Sequence, residues 1–203
     1  LAKTGGRLVL RLADADLPLQ RYANFADTVA TYLDQVKKLA DTKRETAEVQ
    51  ARLLASGAYR LADDPTQTRG DPTPLKAVPH INFAPLENAA DHLKRSAKAY
   101  DSALAAKGAA LSPDAKARLS KLTQGIEQTL TPEFGLPGRP WYKNLVYAPG
   151  TFTGYGAKTL PGVREAIEEE RWADANQYSS LTAQALNDYA AELDKAVKLI
   201  NGG

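Results

Sequence analysis

Residues 86–107, "LENAADHLKRSAKAYDSALAAK", hold the clearest rhythm in the chain. Leu86, Ala90, Leu93, Ala97, Tyr100 and Leu104 recur at alternating steps of four and three. That spacing draws one apolar stripe along an α-helix. A helix with a single such stripe has to bury it against other elements.

On the N-terminal side lies "DDPTQTRGDPTPLKAVPHINFAP" at 63–85, whose five prolines exclude helix and predict an extended crossover wrapped along a bundle. Before it, a long helix is expected from Asn24 as N-cap to about Leu61, with Phe25, Val29, Leu33, Val36 and Ala40 on its inner face. Residues 2–14 predict one short helix with Leu8, Leu10 and Leu12 on a broad apolar side, broken by "LPL" at 17–19.

On the C-terminal side, Ser112 and Pro113 read as the N-cap and first residue of a helix whose apolar line is Ala115, Leu119, Leu122, Ile126 and Leu130. A short helix is expected from near Pro161. A long one follows from about Ala173 to Ile200, with Leu186, Tyr189, Leu193, Ala196 and Ile200 as its seam and Gly202 as terminator. The one strand candidate is "NLVYA" at 144–148. The expected fold is all-α: an antiparallel helical bundle of about four long helices, interrupted by a long irregular Gly/Pro/aromatic loop.

Composition narrows the function classes. The 203 residues carry a net charge of +2 with both signs dispersed, so charge alone implies no nucleic-acid partner. No apolar run approaches the roughly 20 residues of a membrane span. The N-terminal stretch mixes Lys, Arg and Asp among its leucines, unlike a signal peptide. Cysteine is absent, which removes thiol nucleophiles and Cys-based zinc sites. The two histidines, His80 in the crossover and His92 on a helix, share no chelating spacing with a partner. Glu165 and Glu169 stand four apart, but no Glu-x-x-His motif accompanies them, and both are expected on a charged outer face. No catalytic residue and no metal ligand is assigned. The chain starts at Leu1 and contains no Met, from which it is expected to be a piece of a longer protein.

The loop at 131–162, "TPEFGLPGRPWYKNLVYAPGTFTGYGAKTLPG", breaks the helical pattern and is too long and too aromatic for a simple connection. Arg139-Pro140 fixes one bend and Ala148-Pro149-Gly150 another, while Gly154 and Gly156 flank Tyr155. Arg139, Trp141, Tyr142, Tyr147, Gly154 and Gly156 are the residues expected to shape the loop. Trp141, Tyr142 and Tyr147 are expected to plug into the bundle, and Tyr155 to be presented for function.

Within it, "GLPGRPWYKNLVYAPGTFTGYGAKTLPGVREAI" at 135–167 resembles the C-terminal signature of the glutamate carboxypeptidase II and transferrin receptor family. The matching positions are Gly135, Leu136, Pro137, Arg139, Pro140, Tyr142, Tyr147, Ala148, Pro149, Tyr155, Pro161 and Gly162. The resemblance implies a transferrin receptor-like dimerisation domain over residues 15–203, with 131–162 as a substrate-side loop and 1–14 as the last helix of a preceding peptidase domain. It further implies a homodimer, zinc in the peptidase domain of the parent protein and none here, and an extracytoplasmic parent. In glutamate-preferring members a Lys-Tyr pair in this loop holds substrate carboxylates. Here Tyr155 matches the tyrosine, but Gly154 replaces the lysine, which leaves glutamate preference open; Lys158 is the candidate substitute. The alternative reading is a stand-alone or receptor-like helical binding module without peptidase activity, since transferrin receptors share the domain.

Overall fold

The computed structural model describes residues 1–17, 20–64, 66–67, 70–154 and 156–202. Helices α1 (Ala2–Ala13), α2 (Tyr22–Ala55), α3 (Ala58–Ala62), α4 (Ala84–Lys107) and α5 (Pro113–Gly125) precede the loop. Within the loop, strands β1 (Tyr147–Pro149) and β2 (Ala157–Thr159) form an antiparallel hairpin. Helices α6 (Pro161–Glu168) and α7 (Trp172–Gly202) complete the chain.

The expected seams form the core. Leu86, Ala90, Leu93, Ala97 and Tyr100 of α4 are buried, as are Leu186, Tyr189, Leu193, Ala196 and Ile200 of α7. Cross-helix contacts give the directions. Tyr22, Asp27 and Lys37 of α2 meet Asp101, Lys94 and Glu87 of α4 in reverse order, so these two helices run antiparallel. Asn82 and His92 meet Asn176 and Asn187 in the same order, so α4 and α7 run parallel. The crossover, by leading from the far end of α2 into α4, makes the first of these arrangements accessible.

Helix starts follow both local and distant chemistry. Ser112 caps α5 as expected, its hydroxyl accepting from Ala115 N at 3.2 Å. Asn24, in contrast, lies inside α2 and caps nothing. The first free amides of α2, Tyr22 N and Ala23 N, donate instead to the Asp101 carboxylate on α4 at 3.2 and 3.1 Å. The N-terminal end of the helix carries partial positive charge, so a carboxylate from another helix serves as well as a neighbouring side chain. At its other end α2 stops at Ala55 rather than near Leu61, because Gly57 takes a left-handed φ of 68°.

α1 buries none of its residues, and Leu8, Val9, Leu10 and Leu12 are exposed. The loop reverses another expectation. Its aliphatic residues Leu136, Leu145, Val146, Ala148 and Leu160 are buried, whereas Trp141 (71% exposed), Tyr142 and Tyr147 face outward and do not plug the bundle. The core already holds the rings of Tyr22, Tyr100 and Tyr189, and the loop seals it with smaller aliphatic side chains.

Candidate functional site

The loop enters the site through a tight turn. Gly135 has φ +60°, and a Cβ there would fall 2.2 Å from Pro140 O, so only glycine allows the turn to close. Leu136 N donates to Tyr142 O at 2.9 Å, and Tyr178 of α7 donates its hydroxyl to Gly135 O at 2.9 Å. Burial pushes the Tyr178 pKa up, with Asp174 adding to the effect, so its hydroxyl stays a neutral donor. Further on, Leu145 N bonds Leu130 O at 3.0 Å and Leu160 N bonds Val146 O at 2.7 Å, stitching the loop back onto its own ends. Leu160 adopts φ +47°, an unusual state for leucine, held by complete burial just before Pro161 starts α6.

Arg139 is the centre of this arrangement. Its guanidinium branches two ways from a residue only 6% exposed: Nη1 donates to Pro149 O, and Nη2 donates to Glu165 Oε2 at 2.6 Å. The guanidinium carbon lies 5.3 Å from the ring centroid of Tyr142, a cation–π contact that covers its outer side. Glu165, expected on an outer face, is instead buried, while Glu169 is exposed. The Glu165 carboxylate also reaches the backbone, its Oε1 accepting from Thr151 N at 2.8 Å. These hydrogen bonds to each other and to the backbone offset much of the cost of burying both charges, while Arg139 Nε is buried with no partner among the described residues.

Beyond Arg139 the hairpin tip is tightly folded. A Cβ at Gly150 would lie 2.1 Å from Thr153 Oγ1. Thr153 Oγ1 donates to Gly156 O at 2.8 Å, and Gly156 N donates to Thr153 O at 3.0 Å. Gly154 has φ +56°. Tyr155 lies outside the described residues. Lys158 stands on β2, its ammonium within 2.8 Å of both oxygens of Glu168 on α6. An open cleft of about 640 Å³ lies between the Trp141–Tyr142 corner and Arg171 with Asp174, and a smaller groove of about 280 Å³ runs between Trp141 and Tyr147.

Compared with families of known proteins, residues 81–194 match the transferrin receptor-like dimerisation domain. This chain belongs to that family. The matched span begins at the end of the crossover and includes the whole loop and most of α7. Two relatives carry the name of an activity. A 45-residue segment of this chain is 47% identical to a probable glutamate carboxypeptidase LAMP1 of Arabidopsis thaliana, covering 22% of this chain. A 52-residue segment is 38% identical to a probable glutamate carboxypeptidase of Arthroderma benhamiae, covering 26%. In each case the match spans 7% of the relative's length.

Among its described residues this dimerisation domain does not fit a zinc ion: no three His, Asp or Glu side chains gather as a metal site. His92 sits at the edge of the α4–α7 groove, its ring nitrogens 3.1 Å from Asn187 Oδ1 and 3.2 Å from Asp194 Oδ2. Those contacts tie α4 to α7. Among the described residues no helix is long and apolar enough to cross a membrane. The pair that sequence reading missed, Arg139 with Glu165, left one trace: an arginine between a left-handed glycine and a proline, inside a loop too long to be a connector.

Proposed function

We propose that this chain is the dimerisation domain of a glutamate carboxypeptidase-like zinc peptidase, that it holds two copies of the parent protein together, and that its 131–162 loop completes the substrate pocket. The observation that carries this reading is the family match over residues 81–194, joined to relatives named as probable glutamate carboxypeptidases. The chain by itself is inactive on this reading, and zinc belongs to a peptidase domain of the parent. α1 belongs with that domain. A helix of 12 residues with no buried side chain has little stability of its own, and its leucines need a surface to cover them.

The loop's part is to present Tyr155 to the C-terminal residue of a peptide. Gly154 offers no cation, and the Lys158 ammonium is engaged by Glu168. Neither position therefore supplies a free cation on this reading, and the parent accepts a peptide whose C-terminal side chain need not be acidic. A receptor-like role without peptidase chemistry has one feature in its favour, the outward Trp141 beside two clefts.

One pair of measurements tests the reading. Light scattering of the purified chain is expected to give twice the monomer mass at high concentration, and a persistent monomer would overturn the assembly role. Sequencing the reading frame upstream of Leu1 is expected to reveal a domain with clustered His, Asp and Glu ligands. A start codon close to Leu1 would replace the peptidase reading with the binding-module one.

A further inference from the structure

The buried Arg139–Glu165 pair raises a question of purpose. An ion pair taken out of water gains little net stability, and apolar residues of similar size often serve a core equally well. The contacts of this pair point elsewhere. The β1–β2 ladder ends at Pro149 opposite Ala157, and one further backbone bond joins Gly150 N to Gly156 O at 3.2 Å. Past that bond Thr151 N faces no strand partner. Glu165 Oε1 accepts from it at 2.8 Å, and Glu165 Oε2 lies 3.3 Å from Thr151 Oγ1. Arg139 in turn holds the carbonyl of Pro149, two residues earlier. The two charged side chains thus grip the same short segment from both sides, one by its acceptor and one by its donor.

The rest of α6 grips the other strand. Glu168 takes Lys158, and Arg164 Nε donates to Thr159 O at 3.1 Å. The hairpin is therefore fastened along both legs to one face of one helix, and the described residues of its tip, 151–154 and 156, are exposed.

We propose that Arg139, Glu165 and Thr151 form a positioning latch, which sets where the hairpin tip stands rather than how stable the bundle is. This rests on the reading of the loop as a pocket wall, and it adds the residues that aim it. In this role Arg139 and Glu165 act through the backbone at 149–151. The latch also assigns Tyr142 a part, since its ring stands in cation–π contact with the guanidinium.

The test uses the 203-residue chain and its own amides. Arg139→Met together with Glu165→Leu removes both charges while keeping volume. The melting temperature is expected to stay within a few degrees of the unsubstituted chain. Amide exchange at Thr151 and Gly156 is expected to accelerate at least tenfold, while Leu145, bonded to Leu130 in the same loop, changes less than twofold. Exchange at Thr151 that stays as slow as in the unsubstituted chain would overturn the latch, and so would equal acceleration at Leu145. If the double variant does not fold, Arg139→Lys keeps a buried cation for Glu165 and gives up the two-way fork; it is expected to show the same order of effects, and unchanged exchange at Thr151 would again be fatal. Because the readout needs no peptidase, a failed latch and a failed pocket role are separate results.

Discussion

Gly162 packs against the ring of Tyr178 so closely that a Cβ on Gly162 would stand 2.3 Å from Tyr178 Cδ1. The contact joins the first turn of α6 to α7 and holds the tyrosine where its hydroxyl reaches Gly135 O. Three elements meet there: the loop entrance, the helix that follows the loop, and a long core helix. Gly162→Ala is expected to cost about 1–3 kcal/mol through overpacking, read as a lower urea midpoint. An unchanged midpoint would mean that the ring can move aside.

Two tyrosine hydroxyls should respond in opposite directions. Tyr178→Phe leaves the buried Gly135 carbonyl without its donor and is expected to cost about 1–2 kcal/mol. Tyr100 Oη is buried with no hydrogen-bond partner among the described residues. Removing it in Tyr100→Phe is expected to be neutral or to stabilise by up to about 1 kcal/mol. Chemical denaturation of both variants decides it; a large loss in Tyr100→Phe would reveal a partner for that hydroxyl.

Alkaline pH should unfold the bundle through its aromatic centre. Tyr22 and Tyr100 meet edge to face at 5.0 Å, and Tyr189 lies 6.0 Å from Tyr22. Burial foremost, then the Glu127 and Asp101 carboxylates, pushes Tyr22 up to about 12. Burial likewise raises Tyr100 and Tyr189. In the unfolded chain tyrosine titrates near about 10. A folded pKa above the unfolded one means that the contribution is whole below about pH 10 and is lost as pH climbs from there through about 12. Tyrosinate absorbance is expected in two steps, the second coinciding with loss of helical circular dichroism. One step near pH 10 with the helices intact would refute the buried cluster.

Deleting residues 1–14 should leave the bundle as stable as before, within about 0.5 kcal/mol, since a change that touches no buried contact rarely exceeds that. α1 has no buried residue to lose. Thermal melts of the shortened chain check this, and a fall of several degrees would place α1 within the cooperative unit.

Gly150→Ala should damage the hairpin tip and spare the core. The new methyl would meet Thr153 Oγ1 and the Lys158 stem at once. Faster amide exchange at Gly156 is expected, with overall stability reduced by about 1 kcal/mol or less because the adjoining residues 151–154 and 156 are exposed and can open. Core amides of α7 that speed up equally would contradict this separation.

Much of the fold is legible because helix periodicity is local. Leu86 to Tyr100 and Leu186 to Ile200 need no partner to be recognised as seams, and Ser112 before Pro113 marks a helix start that the structure shows. The start of α2 is not legible, because its cap comes from Asp101, 79 positions from Tyr22. Glu165 escapes a sequence reading for a related reason. A glutamate on a helix is ordinarily solvated, and only an arginine 26 positions earlier, buried beside it, makes its burial tolerable. Hydrophobicity alone places Trp141 and Tyr147 inside, but nothing in their spacing says which side of the loop meets the bundle.

The amino-acid order by itself determined that this chain forms amphipathic rods, where most of them begin, and that a glycine- and proline-bent loop interrupts them. Those properties follow from backbone geometry over a few residues. Only the tertiary structure decided that α4 runs parallel to α7, that Asp101 caps α2, and that Arg139 and Glu165 close on the base of the hairpin. These depend on how the rods lie across one another, and a charge can be buried only where packing brings its counter-charge to it.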